Sequence, residues 1–469
     1  MNAGNLTERL ALMRRDSPLA PGLIDTFGEW VRCAADEELF RVDVLSWANR
    51  RGVSEDQALD LFLHAATAGI FELSWGAICP SCGMMIQTPG GLRALGPNPH
   101  CKLCRADFAA AMDDQLEVTF SVEPGIRMLR FYRPDGVNAW QDADKIFFGS
   151  TREPVIPEVS LRNMMRAAKG NVPGSEVECE VSLDVGNVAM LVPQVHAVAF
   201  LRIEPGGASE MSFELHDGAI LPAEVSLAPG PVRLRMANRT HHFLTTCVVQ
   251  LPSQQDMEAF RGPRYVIHPF LSGKRVLTSQ TFRDLFRTET IGDKGLSIKS
   301  LAILFTDLQA STALYERVGD LRALELVRAH FDKLMEVVRK KRGAIVKTIG
   351  DAVMAAFAEP ESAVAAAAEM TAAVRTIDTA GDSLAIKIGI HAGSCVAIQT
   401  NHQIDYFGSA VNTAARVQGV ARGGEIVVTE PIWHAPGVRE RTDNCGLRMA
   451  PDTVRLRGIA APVSIFRLN

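Results

Sequence analysis

Four of the nine cysteines fall in two tight pairs, Cys79-Pro-Ser-Cys82 and Cys101-Lys-Leu-Cys104, with 18 residues between them. A Cys-x-x-Cys turn presents two sulfurs from one bend, so two such turns at this spacing can enclose a single ion in four thiolates. That requirement folds the chain back on itself and predicts a zinc ribbon over residues 73–112. Gly83 suits a turn that needs positive φ. His100 is an alternative ligand, but Cys79, Cys82, Cys101 and Cys104 already complete a tetrahedron. A closed four-sulfur shell leaves no open position for chemistry, so the expected Zn²⁺ is structural. The odd cysteine total and the absence of a secretory pattern in MNAGNLTERLALMRRDSP favour reduced thiols and a cytoplasmic chain.

At 469 residues the chain exceeds one hydrophobic core. The predicted class is multidomain α+β. Residues 1–72 are expected to be helical, 113–265 an antiparallel β-sandwich, 266–298 a helical linker and 299–469 an α/β domain. Net charge −5 argues against a strongly electropositive nucleic-acid surface. The longest uncharged run, Val185 to Leu201, contains Asn187, Pro193, Gln194 and His196, which suits a strand and turn and not a bilayer span.

Residues 38–70 predict two short helices, the second opened by a Ser54/Gln57 capping box and closed near Gly69. NRRG (Asn49 to Gly52) is the expected turn. A helix-turn-helix reader of DNA needs a basic recognition helix, yet SEDQALDLFLHAATAG has neither Lys nor Arg, so packing against neighbours is the preferred reading. Further on, LEVTFSV, EVECEVSL, AVAFLRI and VRLRMANRTHHFLTTCVVQL alternate like antiparallel strands. His241, His242 and Cys247 raise a copper site, discounted because no further His or Met follows closely. The ligand of this β module and the regulatory signal of the N-terminal region stay unknown from sequence. Between the β module and the last domain, TSQTFRDLF predicts a helix capped by Thr278 or Ser279, and the segment reads equally as a transmission element or as an ordinary linker.

From Ser300 the order is strand, long helix, hairpin, helix and more strands. LAILFTD is a buried strand, and Leu324, Val327, Phe331, Leu334 and Val338 mark a helix stripe ending near Gly343. AIVKTIG and AVMAAFA form a hairpin turning at Gly350 and Asp351. The whole suits helices on one face of a largely antiparallel sheet. If the first strand lies beside the hairpin, Asp307 and Asp351 share one rim, and two carboxylates without a local counter-charge call for a cation. The amides of Leu308, Gln309, Ala310, Ser311 and Thr312 enter a helix and suit terminal phosphates. Asn412 and Arg416 stand four apart on one helix face.

FTD, KTIGD, KIGIHAG (Lys387 to Gly393) and DYFGSAVNTAAR (Asp405 to Arg416) together resemble the catalytic domain of class III nucleotidyl cyclases, over roughly the last third of the chain. The resemblance implies a ferredoxin-like α/β cyclase fold. It also implies two Mg²⁺ or Mn²⁺ on Asp307 and Asp351, a base-reading pair in Lys347 and Asp405, and a transition-state pair in Asn412 and Arg416. Arg457 stands where the family often has a phosphate-binding Lys, and Ala310 where many relatives have Gly. Lys donating to N1 and Asp accepting from N6 match adenine and mismatch guanine, so ATP is the expected substrate and cyclic AMP with pyrophosphate the expected products. In the family the metal pair comes from one subunit and the other pairs from its partner, which implies a homodimer with two composite sites. A guanylate cyclase and a catalytically silent nucleotide-binding module are the rival readings.

Overall fold

The computed structural model describes residues 2–87, 91–133, 136–155, 161–252, 265–377 and 384–469. Two compact units divide the chain. One is made mainly of residues before Ser272; the other is Ser272–Asn469 with Ala110–Asp114 and residues 91–97. No helix among the described residues is long and apolar enough to cross a membrane.

The first unit opens with helices Ala3–Asp16, Pro21–Cys33, Val44–Arg51 and Glu55–Thr67. The Ser54/Gln57 capping box is present. The expected NRRG turn is mostly helix, because Asn49 to Arg51 complete the last turn and Gly52 alone takes the left-handed conformation that ends it. Phe27, Trp47 and Phe62 meet edge to face, with Phe62 5.3 Å from each of the others. Leu59, Leu61, Phe62 and Leu63 are buried, which makes Glu55–Thr67 a packing helix.

Leu116–Val122 does not join the sandwich. It pairs antiparallel with Phe71–Ile78, from Phe71↔Val122 to Ala77↔Leu116, in a three-stranded sheet with Met85–Gln87. Its polar alternation misleads because all seven residues are buried. Glu117 is neutralised from inside by Arg41 at 3.7 Å and accepts from the Ser150 amide at 3.0 Å.

The sandwich proper spans Met165 to Gln250. One sheet runs Glu224–Leu227, Ala197–Ala208, Gly186–Val192, Leu244–Gln250, Met165–Asn171; the other runs Ala219–Leu221, Glu210–His216, Gly230–Asn238, Glu176–Leu183. Val188, Met190, Leu201, Phe213 and Leu234 fill its core. The sheets are mixed, not purely antiparallel: Ala197–Ala208 is parallel to Glu224–Leu227, and Glu210–His216 to Gly230–Asn238. The chain passes from the first sheet to the second at Ser209 without a hairpin, after an irregular stretch containing Gly206 and Gly207, and a Cβ on Gly207 would lie 2.3 Å from the Leu227 carbonyl carbon.

The second unit starts with α1 (Gly273–Leu277) and α2 (Gln280–Leu285), the latter capped by Ser279. Most of the segment expected to be a linker thus belongs to this compact unit. Then follow β1 (Leu296–Leu308), α3 (Ser311–Val318), α4 (Asp320–Lys340), β2 (Gly343–Ile349), β3 (Ala352–Phe357), α5 (Pro360–Val374) and β4 (Ile386–Thr400). Sheet order β2-β3-β1-β4 with this helix placement is a ferredoxin-like wind. The remaining elements are β5 (Gln403–Phe407), α6 (Ser409–Gly419), β6 (Ile426–Thr429), α7 (Glu430–Trp433), α8 (Val438–Asn444), β7 (Met449–Val454) and β8 (Val463–Leu468). They extend the sheet as β4-β6-β8-β7, while β5 folds back on β4; only β4 and β6 run parallel.

Two expectations change here. Leu324 is exposed, and the α4 stripe runs through Ala323, Leu326, His330, Leu334 and Val337. At about 100° per residue, Leu324 lies about 80° off the axis set by Leu334, and Ala323 only about 20°. α4 ends at Lys340, near Gly343 as expected, and Arg342 takes the left-handed turn that follows. Gly343 is small for another reason: a Cβ there would lie 2.3 Å from Phe357 Cε1. Nor are the helices confined to one face. Ile426 and Val428 face the core shared with α4 and α5, whereas the intervening Val427 faces Val417 of α6 on the opposite side.

Candidate active site

β1 ends in Thr306, Asp307 and Leu308, and Thr306 pairs with Val353 across β3. That register sets Asp307 level with Ala352 and brings the β2–β3 turn, with Gly350 at φ 63 and Asp351, to the same rim. No counter-charge is local in sequence, but the fold supplies one to Asp307. Lys387, its partner in register on β4, places Nζ 2.9 Å from Asp307 Oδ2. Antiparallel pairing of LAILFTD with KIGIHAG would have revealed it. Asp351 Oδ2 is buried and has no hydrogen-bond partner among the described residues. An orphaned carboxylate oxygen beside a second carboxylate fits a divalent cation.

Two further residues, not singled out in the sequence, face this rim. Burial, then the charges of Asp351 and Asp307, push the Tyr315 phenol up. Burial pulls the His330 imidazole down to about 4 against the pull of the same carboxylates. His330 is therefore neutral at pH 7.

After Asp307 the chain turns through Gln309 and Ala310 into α3, which begins at Ser311 and Thr312. Ala310 takes φ 53 and ψ 37, so its methyl sits in the left-handed region. Gln309 packs on Gly423, where a Cβ would collide with its side-chain amide.

Lys347 on β2 and Asp405 on β5 come from strands that do not pair with each other, yet Nζ and Oδ2 are 2.6 Å apart. The other carboxylate oxygen, Oδ1, accepts from the Tyr406 amide at 2.8 Å. β2 bulges against β3 between Ile345 and Lys347. The extra residue there shifts which side chains face the site.

Asn412 and Arg416 occupy one face of α6. This helix can approach β4 because Gly389 and Gly393 of KIGIHAG lie beneath it: a Cβ on Gly389 would be 2.1 Å from the Gln418 nitrogen, and one on Gly393 3.1 Å from Ala410 Cβ. The Arg416 guanidinium reaches the loop after β7, within 3.3 Å of where a Gly458 Cβ would be, so the neighbouring Arg457 belongs to the same region. Among the described residues no hydrogen bond or ion pair joins Asp307 or Asp351 to Asn412 or Arg416.

In the first unit the four cysteines converge. Their sulfurs all lie within 4.8 Å of one another, Cys79 to Cys104 at 3.8 Å and Cys82 to Cys101 at 3.7 Å. Zn–S bonds of about 2.3 Å in a tetrahedron give sulfur separations of about 3.8 Å, so the set fits Zn²⁺. Gly83 at φ 72 and Arg105 at φ 52 follow the second cysteine of each pair and make matching left-handed turns. Cys247 is buried in the sandwich while His241 and His242 are exposed, and no metal cluster among the described residues includes them.

Residues 6–284 match the model of a family of unknown function (DUF5939), and residues 296–437 match the adenylate and guanylate cyclase catalytic domain. Receptor-type adenylate cyclase B of Leishmania donovani is 29% identical over 208 residues, 36% of this chain and 15% of that protein. An uncharacterized protein of Mycobacterium tuberculosis is 30% identical over 188 residues, 38% of this chain and 43% of that protein. The chain thus spans well under two thirds of the length of these relatives. Among solved structures, a Trypanosoma brucei adenylate cyclase in its monomeric state is 25% identical over 36% of this chain and 90% of that chain, with a TM-score of 0.33. The guanylyl cyclase Cya2 is 24% identical over 37% and 93%, with a TM-score of 0.34.

Proposed function

The chain belongs to the family of unknown function DUF5939 and ends in a class III nucleotidyl cyclase catalytic domain, and from that premise we propose that it is an adenylate cyclase. The observation that carries the choice of base is the Lys347–Asp405 pair, held at 2.6 Å at the junction of β2 and β5. One ammonium donor beside one carboxylate acceptor complements the N1 acceptor and N6 donor of adenine. Guanine presents the reverse order and would leave both groups mismatched.

Asp307 and Asp351 are the residues that would hold Mg²⁺ or Mn²⁺. Such ions, when bound, neutralise triphosphate charge and lower the pKa of the ribose 3′-hydroxyl. The chain's own groups do the rest. The amides of Leu308, Ala310, Ser311 and Thr312, with Arg457, hold the terminal phosphates, and Asn412 orients the ribose; the Gln309 amide, expected to join them, already donates to the Ala385 carbonyl at 2.8 Å. Arg416 opposes the charge that builds on the α-phosphate as the 3′-oxygen bonds to phosphorus and the α–β bridging bond breaks. The 3′-proton leaves to solvent, and cyclic AMP and pyrophosphate are the products.

We take the composite site to be formed by two copies. Ile349 and Phe407, two residues beyond Lys347 and Asp405 on the same strands, are 51% and 68% exposed. Large apolar side chains beside a polar site suit a second protomer. In the first unit we assign structural Zn²⁺ to Cys79, Cys82, Cys101 and Cys104, and to the whole N-terminal region a regulatory role. The test is turnover of ATP and GTP by the purified full chain with Mg²⁺ and with Mn²⁺. Cyclic AMP formation at least about 10-fold more efficient than cyclic GTP formation is expected, since one mismatched buried hydrogen bond costs about 1.4 kcal/mol or more. A preference for GTP, or no turnover of either, overturns the reading.

A further inference from the structure

Lys347 and Asp405 are brought together although β2 and β5 share no ladder. β2 is the edge strand of the sheet, and β5 hangs from β4 as a hairpin. Something other than sheet pairing must therefore fix the distance between the two side chains. The structure places α2 at both strands. Gln280, itself buried, accepts from the Ile345 amide through Oε1 at 2.8 Å, at the start of the β2 bulge and two residues before Lys347. Arg283 donates through Nη1 to the Ile404 carbonyl at 2.8 Å, one residue before Asp405. Its guanidinium also lies 5.4 Å from the ring of Tyr406, one residue after. The α2 side chains thus hold the backbone just before Asp405 and just upstream of Lys347, and meet the side chain just after Asp405.

The hold is anchored. Gln280 Nε2 donates to Asp284 Oδ1 at 2.9 Å, and Asp284 Oδ2 accepts from Arg339 of α4 at 2.6 Å. Arg283 Nε donates to the Leu277 carbonyl at 3.0 Å, which ties α2 back to α1. Beside these bonds is a partly open cavity of about 500 Å³, lined by Phe282, Phe286, Ile345, Val346, His402 and Gln403 among others. Polar bonds are directional, so they fix strand position in a way that an apolar contact alone does not.

We infer that Gln280 and Arg283 are positioning residues for nucleotide selection: α2 sets the separation of Lys347 and Asp405, and so the choice of base. This rests on the reading of that pair as base-contacting. It also gives the segment before the catalytic strands a defined way to act on the site, since a shift of α2 moves β2 and β5 relative to each other. Neither residue touches nucleotide. Their effect is on the ratio of efficiencies for two bases, not on the chemistry common to both.

The test is kcat/KM for ATP and for GTP in the full chain and in Arg283→Met, Arg283→Lys, Gln280→Leu and Lys347→Met. Arg283→Met and Gln280→Leu are expected to move the discrimination ratio toward one by about 5- to 10-fold, the worth of one hydrogen bond. Arg283→Lys, which keeps a donor, should stay within about 2-fold of the parent ratio. Partial unfolding lowers the active fraction for both nucleotides alike and leaves the ratio unchanged, so the ratio separates positioning from mere destabilisation. If Lys347→Met collapses the ratio while the α2 variants leave it alone, base reading stands and positioning by α2 is wrong. If Lys347→Met itself leaves the ratio unchanged, the base-reading pair is wrong and the role of α2 falls with it. Equal losses in Arg283→Lys and Arg283→Met also overturn the inference. Should neither nucleotide be cyclised, the same ratio is read from affinities for 3′-deoxy-ATP and 3′-deoxy-GTP, with the same outcomes deciding.

Discussion

Lys387 Nζ and Asp307 Oδ2 lie 2.9 Å apart, across a ladder in which the two residues are direct partners. The positive charge of the ammonium opposes a cation that binds the same carboxylate. Both side chains are about a quarter to a third exposed, at 26% and 31%. The pair is therefore worth no more than about 1 kcal/mol. Lys387→Met should lower the Mg²⁺ concentration for half-maximal cyclase activity by about 3- to 5-fold. A higher Mg²⁺ requirement instead would mean that Lys387 holds the triphosphate.

Ala310 carries a side chain where the chain needs a left-handed turn between Asp307 and α3. The strain of a Cβ in this conformation is about 1 kcal/mol. Ala310→Gly relieves it at the cost of a more flexible unfolded chain, and a net gain of about 0.5 kcal/mol is expected. Denaturant unfolding at pH 7 reads the gain, and a destabilised glycine variant would show that the methyl is packed and not strained.

The candidate site residues stand out in the sequence because they come as short strings in which chemistry and local structure coincide. FTD ends a strand, KTIGD makes a turn, and NTAAR repeats at helical spacing. Long-range pairing was not legible. Lys387 faces Asp307 only once strand register is known, and Gln280 meets Ile345 only once α2 is packed beside β2. The same limit placed LEVTFSV in the wrong sheet, since Glu117 mimics a solvent-facing position while Arg41 and Ser150 satisfy it inside. The helix end near Gly343 is legible in sequence, but what keeps Gly343 small, Phe357 across the hairpin, is not.

The sulfur separations of 3.7 and 3.8 Å among Cys79, Cys82, Cys101 and Cys104 lead to one zinc per chain. Atomic emission on the purified protein should find it, and Cys101→Ser should lose it with a lower Tm. Cys33 and Cys445 are exposed and outside the cluster. Cys33→Ser should keep the full metal content. Zinc retained in Cys101→Ser would mean a three-sulfur site completed by another group.

Acid should weaken the catalytic unit through its buried imidazoles. Burial holds His330 and His391 down to about 4 in the folded chain, against about 6.5 when unfolded. Below about pH 6.5 the unfolded state takes up protons that the folded state refuses, so the contribution present above 6.5 is lost progressively as pH falls toward 4. At pH 5 the loss is about 2 kcal/mol for each residue. His330→Leu should shrink the difference in Tm between pH 7 and pH 5, and an unchanged difference would exclude His330 as a source of acid sensitivity.

A site built from two protomers makes a quantitative demand on mixed variants. Asp351→Ala and Arg416→Ala should each lower kcat by about 100-fold or more, the first through the metal site and the second through the transition state. In a heterodimer of the two, one composite site contains both defects and the other contains neither. Random exchange makes half of the dimers mixed, so mixing equal amounts should restore about a quarter of parent activity. Phe407→Arg, placed on the exposed apolar side chain beside Asp405, should abolish this recovery and give a monomer in sedimentation. Equal mixtures that stay inactive, from variants that still exchange subunits, would mean that each chain completes its own site.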